Sequence, residues 1–280
     1  MKRKFTEAGS PIVIGVVKEP TAEDAIRYIQ RSEAMGVNAF DLHLSLLVGE
    51  NGEIPAIRRI CGESHSPVLA VHYNYAPGAP SGRLHDTEEQ RFEKMACAVE
   101  QGGASGIDLP AYFFCSDSRA PLSGADPERY PFAKKSPREV VLEPSAIEKQ
   151  KYAIDRIHRA GGEVLMSCHT GVYLDTQELV SLALLMAERN PDLIKLVIPV
   201  ESREQVAQSF MSMLALQKAV PIKVHLHCAG KLGRITRYCS PYFGAAAVFA
   251  ADPSNSHSDP EQLVPEKFFD FFREIRVDSK

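Results

Sequence analysis

The residues of this chain best suited to chemistry are Lys195 and His169, which belong to two consecutive apolar segments. Lys195 lies inside the run Leu193–Ile198, and His169 follows the run Glu163–Ser167. Burial of a lysine disfavours its charged form, and a neutral amine can attack a ketone to form a Schiff base. A histidine beside that amine could transfer protons. If the fold brings both side chains together, the pair predicts imine chemistry. The alternative interpretations are that Lys195 extends to the surface and that His169 is structural.

The elements that must position this pair alternate regularly between short apolar runs and amphipathic segments. We predict strands at Ile12–Val17, Ala39–His43, Val68–His72, Gly106–Leu109, Glu163–Ser167, Leu193–Ile198, Ile222–His227 and Ala245–Ala250. We predict helices at Ala22–Met35, Ile54–Gly62, Asp86–Gln101, Ser145–Ala160, Thr176–Arg189, Arg203–Ala219, Arg234–Ser240 and Pro260–Ile275. Eight strands, each followed by a helix, indicate a parallel sheet that closes into a (β/α)8 barrel, the TIM-barrel fold.

Catalytic residues of such barrels lie at the carboxyl ends of the strands. This rule selects the candidates Asp41, His43, His72, Tyr73, Asn74, Asp108, His169, Lys195, His227 and Arg237. The segment Phe114–Pro144, which is rich in Pro, Ser, Asp and Gly, follows the fourth strand on the same face. Because βα connections are usually a few residues long, we expect this long inserted loop to be a lid over the substrate, with disorder as the alternative.

Length and composition favour one α/β domain spanning residues 1–280. The chain is 44% hydrophobic and 24% charged, which suits a barrel of this size. A net charge of −4 argues against nucleic acid or an anionic membrane as a partner. We find no apolar run long enough to span a bilayer and no signal-type apolar region, since the first run ends before Lys18.

The cysteines point to a reducing compartment. The chain has six, scattered without CxxC spacing, which predicts reduced structural thiols in a cytoplasmic protein. Cys168 and Cys228 fall at predicted strand ends, so a nucleophilic cysteine is a further, less favoured alternative.

Four sequence blocks resemble the type I 3-dehydroquinate dehydratases. The blocks are MSCH at Met166–His169, LIKLVIP at Leu193–Pro199, GRITRYCSPYFGAAAVFA at Gly233–Ala250 and, more weakly, the pair Ser256 and Gln262. The separation of His169 from Lys195 is close to that in the family. The similarity is strong over about Glu163–Ile275, whereas the first half of the chain agrees only in the order of its elements.

The resemblance implies a (β/α)8 lyase that dehydrates 3-dehydroquinate, or a related cyclic hydroxy-keto acid, without a cofactor. Lys195 would form the Schiff base, and His169 would serve as general base and then general acid. Arg237 would bind the substrate carboxylate, while Ser256 and Gln262 would contact the substrate. Relatives are often dimers, so a homodimer is also implied.

The first half departs from the family pattern at two strand ends. At the end of the second strand, Asp41-Leu42-His43 replaces the family's Glu-x-Arg pair. After the third strand, the family has an arginine and a glutamate that orients the catalytic histidine. Here that segment reads His72-Tyr73-Asn74 and contains neither residue. We expect Asp41, His43, Tyr73 and Asn74 to contact the substrate instead. Asp108, Asn74 and Tyr73 are the candidates to orient His169.

Two other function classes are compatible with the residues. Asp41-x-His43 and His225-x-His227 each place two potential ligands on one face of a strand, because strand side chains alternate with period two. These four residues could hold a divalent metal that polarises a carbonyl or activates water, giving a metal-dependent lyase or hydrolase. A barrel that binds a ligand without catalysis is the other alternative, and trapping of an imine with borohydride would distinguish them.

Overall fold

The computed structural model describes residues 2–74, 86–116, 122, 124–252 and 261–275. Its strands are β1 Ile12–Val17, β2 Ala39–His43, β3 Val68–Val71, β4 Gly106–Pro110, β5 Glu163–His169, β6 Leu193–Pro199, β7 Lys223–Ala229 and β8 Ala247–Ala250. Its helices are α1 Ala22–Ala34, α2 Ile54–Glu63, α3 Glu88–Glu100, α4 Pro144–Arg159, α5 Thr176–Ala187, α6 Arg203–Ala219, α7 Arg234–Cys239 and α8 Pro265–Ile275.

The strands form one parallel sheet in the order β7-β6-β5-β4-β3-β2-β1-β8. At the seam between its two edge strands, the backbone N–H of Ala246 donates to the carbonyl oxygen of Val224 at 3.2 Å. The sheet is therefore a nearly closed barrel, and the predicted (β/α)8 fold is confirmed. The sequence placed every strand; its main error in the helices is α8, which begins at Pro265 and not at Pro260.

Side-chain alternation along the strands divides the apolar residues into two cores. The larger core lies between the strands and the surrounding helices, and the smaller one fills the barrel interior. The interior core includes Ile12, Ile14, Leu69, Leu165 and Leu193. The same inward-facing positions become polar toward the carboxyl ends of the strands, so the interior consists of an apolar base below a polar layer.

Register places the polar side chains of neighbouring strands side by side. Ser167 of β5 is opposite Lys195 of β6, which in turn is opposite His225 of β7. This alignment follows from backbone pairing, so the positions of these groups relative to one another are fixed by the sheet.

Side-chain caps define the helix starts that the sequence indicated. The Thr21 side chain accepts from the N–H of Asp24 at the start of α1. Asp175 and Glu178 form a capping box at the start of α5, satisfying backbone donors that the first turn leaves open. None of the helices among the described residues combines the length and apolarity needed to cross a bilayer.

The connection between β4 and α4 is packed against the barrel over much of its described length. A short 3-10 helix at Pro131–Lys135 contains Phe132, which is fully buried. Lys135 pairs with Glu178 of α5 at 2.6 Å, and the N–H of Arg138 donates to the carbonyl oxygen of Thr170 at 2.6 Å. This part of the connection passes along the end of β5; its role as a lid stays a prediction, and residues 117–121 and 123 lie outside the description.

Candidate active site

A cavity of about 470 Å³ opens at the carboxyl ends of the strands. It is lined by Val16, Lys18, Asp41, His43, Leu46, Tyr73, Asn74, Tyr112, Glu139, His169, Lys195, Val197, His227, Ala229, Arg237, Phe249 and Gln262. The structure thus brings together every predicted catalytic and substrate-binding residue except Ser256, which lies outside the described residues.

The amine of Lys195 lies between a carboxylate and an aromatic ring. Its Nζ atom is 3.6 Å from Oδ2 of Asp108 and 4.2 Å from the ring centroid of Phe249. Lys195 is 6% exposed and Asp108 is 0% exposed. The sequence suggested an apolar surrounding for this amine, but the inward face of the barrel supplies a carboxylate from β4, two strands away.

Asp41 is a second buried carboxyl group in the polar layer. Burial raises the pKa of Asp41 to about 8, and the negative charge of Asp108 acts in the same direction while Lys195 opposes it. His43 lies 3.9 Å from Asp41, and burial lowers the pKa of His43 well below its ordinary value. Both side chains therefore line the cavity in their neutral forms at pH 7.

His169 is held by Glu139, a residue that the sequence did not indicate. The Nδ1 atom of His169 lies 2.6 Å from Oε2 of Glu139, and the backbone N–H of His169 donates to the same oxygen at 2.8 Å. Burial alone would raise the pKa of Glu139. The hydrogen bonds from His169 and the charge of its ring outweigh burial, so the pKa of Glu139 lies below its ordinary value. Because an ionised carboxylate only accepts, Nδ1 carries the proton and Nε2 is left for a substrate.

The residues expected to orient His169 have other positions. Asp108 accepts a hydrogen bond from the hydroxyl of Ser167, and the ring of Tyr73 meets the ring of His169 edge-on with centroids 6.4 Å apart. Asn74 lines the cavity. The only sequence signal that pointed toward Glu139 was the length of the β4–α4 connection on the catalytic face.

Arg237 and Gln262 lie on the side of the cavity near α7. The Arg237 guanidinium is 3.8 Å from Oε2 of Glu261, which also accepts from the backbone N–H of Gly230 at 2.7 Å. The buried Oε1 atom of Gln262 has no hydrogen-bond partner among the described residues. These groups could receive a carboxylate and a hydroxyl, respectively.

The family profile of the type I 3-dehydroquinases matches residues 132–276, just over half of the chain. The chain belongs to the type I 3-dehydroquinase family. The matched region contains Glu139, His169, Lys195 and Arg237, whereas Asp41 precedes it. The part of the cavity built from the first strands is therefore where this family member departs most from the profile.

Solved structures of the family share the fold. The 3-dehydroquinate dehydratase from Geobacillus kaustophilus has a TM-score of 0.71 at 14% identity, over 96% of this chain and 93% of that one. The type I enzyme from Clostridium difficile, with covalently modified comenic acid, has a TM-score of 0.71 at 15% identity, over 98% of each chain. The carboxyl transferase domain of Rhizobium etli pyruvate carboxylase is less similar, with a TM-score of 0.56 at 12% identity over 99% of this chain and 50% of that one. At these identities the similarity concerns the fold alone. A comparison with curated protein sequences found no match to the chain.

Two histidines of β7 are paired next to the cavity, and His227 is the one of the two that lines it. Nε2 of His225 lies 2.6 Å from Nδ1 of His227, and burial lowers the pKa of His225 to about 3, with Lys195 and Arg237 acting in the same direction. Both were candidate metal ligands. Among the residues the structure describes, no group of three His, Cys, Asp or Glu side chains could hold a metal ion.

The cysteines at the strand ends are poorly suited to nucleophilic chemistry. Cys168 and Cys228 are both 0% exposed. Burial raises the pKa of each thiol, which disfavours the reactive thiolate. Neither is among the residues that line the cavity.

Proposed function

We propose that this type I 3-dehydroquinase family member is a lyase that dehydrates 3-dehydroquinate, or a related cyclic hydroxy-keto acid, through a Schiff base on Lys195. The observation that carries the proposal is that the amine of Lys195 and the imidazole of His169 line the same cavity, with Nδ1 of His169 engaged by Glu139. The free Nε2 atom can then act on a substrate bound to the amine.

The proposed reaction has four stages. The electron pair of the Lys195 amine forms a bond to the ketone carbon, and the carbonyl oxygen leaves as water to give a protonated imine. Nε2 of His169 removes a proton from the adjacent carbon, and the electrons of that C–H bond pass to the imine nitrogen. His169 then gives that proton to the departing hydroxyl group. The C–O bond breaks and water leaves, while the electron pair on nitrogen returns to restore the imine and form the new C=C bond. One residue thus acts as base and then as acid. Water finally hydrolyses the product imine; the reaction uses no metal or organic cofactor.

The surrounding residues have separate roles in binding. Arg237 would hold the substrate carboxylate, in a contact that its planar guanidinium can make with two hydrogen bonds. Gln262, Asp41, His43, Tyr73 and Asn74 would contact hydroxyl groups, because each brings hydrogen-bonding atoms to the cavity. The neutral forms of Asp41 and His43 can hydrogen-bond to the hydroxyl groups of a polyhydroxylated ring. They would do so for 3-dehydroquinate and for a related acid, so experiment must distinguish the two substrates.

The test is reductive trapping followed by mass spectrometry. The wild-type protein is incubated with 3-dehydroquinate and sodium borohydride, beside Lys195→Ala and Lys223→Ala. Lys223 is the matched control, because it begins β7 at the amino end of the barrel, where it bonds to the carbonyl oxygen of Thr6. We expect an adduct on Lys195 in the wild type and in Lys223→Ala, and none in Lys195→Ala. Absence of an adduct with this and other cyclic keto acids would reject the Schiff-base proposal.

A further inference from the structure

Helix α6 carries apolar side chains on the face that points away from the barrel. Met211 is 59% exposed and Leu214 is 38% exposed. The face turned toward the barrel includes two buried serines, Ser209 and Ser212, whose hydroxyl groups donate to carbonyl oxygens one turn earlier in the helix. A helix whose outer side meets only water keeps polar residues there, so the outer face of α6 has the composition of a contact surface.

Exposed apolar residues of neighbouring segments extend this face. In the part of the chain that the structure describes, five of the eight exposed large hydrophobic side chains fall between positions 211 and 242, namely Met211, Leu214, Leu232, Ile235 and Tyr242. The segments that hold the last three pack against α6. Tyr242 is joined to α6 through the rings of Phe243 and Phe210, with successive centroids 5.6 Å and 4.5 Å apart. A concentration of exposed apolar side chains marks an interaction site.

The middle of this face has the residue spacing of a helix–helix contact. Positions that alternate in steps of three and four residues lie along one side of a helix. In α6 these positions are Glu204, Ala207, Met211, Leu214 and Lys218, and all five are exposed. This outer stripe of α6 is therefore apolar in the middle, negative at its first residue and positive at its last.

The two charges of the outer stripe are placed symmetrically about Met211. Glu204 precedes Met211 by seven residues, and Lys218 follows it by seven. The two charges are about 21 Å apart along the helix, which is too far for them to pair within one chain. Neither has an ion-pair partner among the described residues. When the stripe is turned end for end, each charge faces the opposite charge, so the stripe is complementary to a second copy of itself.

We propose that two copies of this chain associate through α6, with the two helices antiparallel and Met211 on the twofold axis. The axis makes each contact occur twice: Glu204 of either copy meets Lys218 of the other, and Ala207 meets Ala215. The small alanine side chains allow the two backbones to approach closely. Met211 packs against its own equivalent, a contact to which its unbranched side chain can adapt.

The flanking apolar residues supply the rest of the interface. A stable dimer buries on the order of 1,200–2,000 Å² in total, which is more than a single helix face provides. Leu232, Ile235 and Tyr242 lie beside α6 and would be covered by the second copy. No residue of this face lines the cavity that holds Lys195, so association through α6 is independent of the proposed reaction.

The experiment measures the mass of the full chain by sedimentation velocity between about 0.5 and 50 µM, a range that brackets a micromolar dissociation constant. We expect the wild type to reach twice the monomer mass of 30.9 kDa within this range. Met211→Glu places two negative charges together on the axis and should raise the dissociation constant by at least about 100-fold. Tyr152→Glu is the matched control, because it changes an apolar side chain of α4 that is 64% exposed, and it should associate as the wild type does.

Charge reversal tests the antiparallel arrangement itself. Glu204→Lys and Lys218→Glu each place like charges opposite one another at both symmetry-related contacts, so each should raise the dissociation constant by about tenfold. The double variant restores both pairs with their signs exchanged and should return to within about threefold of the wild type. The control is Glu63→Lys, which makes the same change of charge at an exposed site of α2, four positions around the barrel from α6.

Three results would contradict the inference. A wild type that stays at 30.9 kDa over the whole concentration range lacks the interface. A dimer that Met211→Glu leaves intact uses another surface. A double charge variant that associates no more tightly than either single variant excludes the antiparallel pairing of α6. Because the substituted residues are exposed, each variant should give the far-ultraviolet circular dichroism spectrum of the wild type, and trapping of the Lys195 adduct should be unchanged in all of them.

Discussion

The ring of His169 and the carboxylate of Glu139 are joined across 2.6 Å although 30 residues separate them along the chain. Glu139 has a left-handed backbone conformation with φ of 57°, and the preceding N–H of Arg138 donates to Thr170 just beyond β5. The β4–α4 connection is therefore attached to the end of β5 through two consecutive residues, Arg138 and Glu139. The orientation of the histidine comes from a connecting segment and not from a strand end.

Glu139→Gln tests whether this contact serves the reaction. The amide keeps the size of the side chain but loses the charge that favours a proton on Nδ1. We expect kcat for dehydration of 3-dehydroquinate to fall by about 10–100-fold with a much smaller change in KM, measured by the absorbance of the enone product. Glu143→Gln changes an exposed carboxylate of the same connection, bonded to Ser116, and should behave as wild type.

The pH range of this effect follows from the lowered pKa of Glu139. The pKa of Glu139 lies below the ordinary value of 4.5 for a glutamate. Above pH 4.5 the carboxylate is therefore ionised and can hold the proton on Nδ1 of His169. This effect is lost only as the pH falls through the lowered pKa of the folded state. The deficit of Glu139→Gln should accordingly be constant between pH 6 and pH 9. A kcat equal to that of the wild type would show that His169 needs no orienting carboxylate.

The barrel could be predicted from local patterns because its strands are continuous apolar runs. The limits of β1 and β2 agree with the sequence prediction, since each run is bounded by residues that break it. Lys195 and His169 could be found for a related reason: a charge inside an apolar run and a histidine at its end stand out from their neighbours.

The Glu139 contact could not be predicted because it depends on long-range packing. The β4–α4 connection shows no apolar periodicity, yet Phe132, Val140 and Val141 are buried. Ser136 and Glu139 adopt left-handed conformations without being glycine, so no local signal marks the turn that brings the glutamate back to β5. Asp108 was selected as a strand-end candidate, but its contact with Lys195 could not be predicted, because the two residues belong to strands that are not adjacent.

His169→Ala separates imine formation from the later proton transfers. Lys195 is unchanged in this variant, so the amine should still bond to the ketone. We expect the borohydride adduct to form while turnover falls by about 10²–10⁴-fold, measured by trapping and enone absorbance on the same samples. His65→Ala, an exposed histidine at the other end of the barrel, is the control. Loss of the adduct in His169→Ala would mean that His169 also takes part in forming the imine.

Arg237→Ala examines recognition of the substrate carboxylate. Removal of the guanidinium should raise KM by about 10–100-fold with a smaller effect on kcat, because charged hydrogen bonds of this kind are worth about 1.5–3 kcal/mol. Arg237→Lys should restore little of the lost substrate affinity, because an ammonium group cannot make the two parallel hydrogen bonds that a guanidinium makes to a carboxylate. Arg234→Ala changes an exposed arginine of α7 and serves as the control. An unchanged KM in Arg237→Ala would indicate that the substrate carboxylate binds elsewhere in the cavity.

Asp41→Asn should stabilise the protein at alkaline pH. Burial raises the pKa of Asp41 to about 8, so the folded state retains a proton that the unfolded chain releases near pH 4. Its favourable contribution is fully present below pH 4 and is lost as pH rises toward 8. An asparagine carries no such pH dependence. In urea unfolding, Asp41→Asn should match the wild type near pH 4 and exceed it by on the order of 1–3 kcal/mol at pH 9, whereas Glu50→Gln, at an exposed site, should show no such trend. If Asp41→Asn is no more stable than the wild type at pH 9, the carboxyl group is already accommodated as an anion beside Lys195.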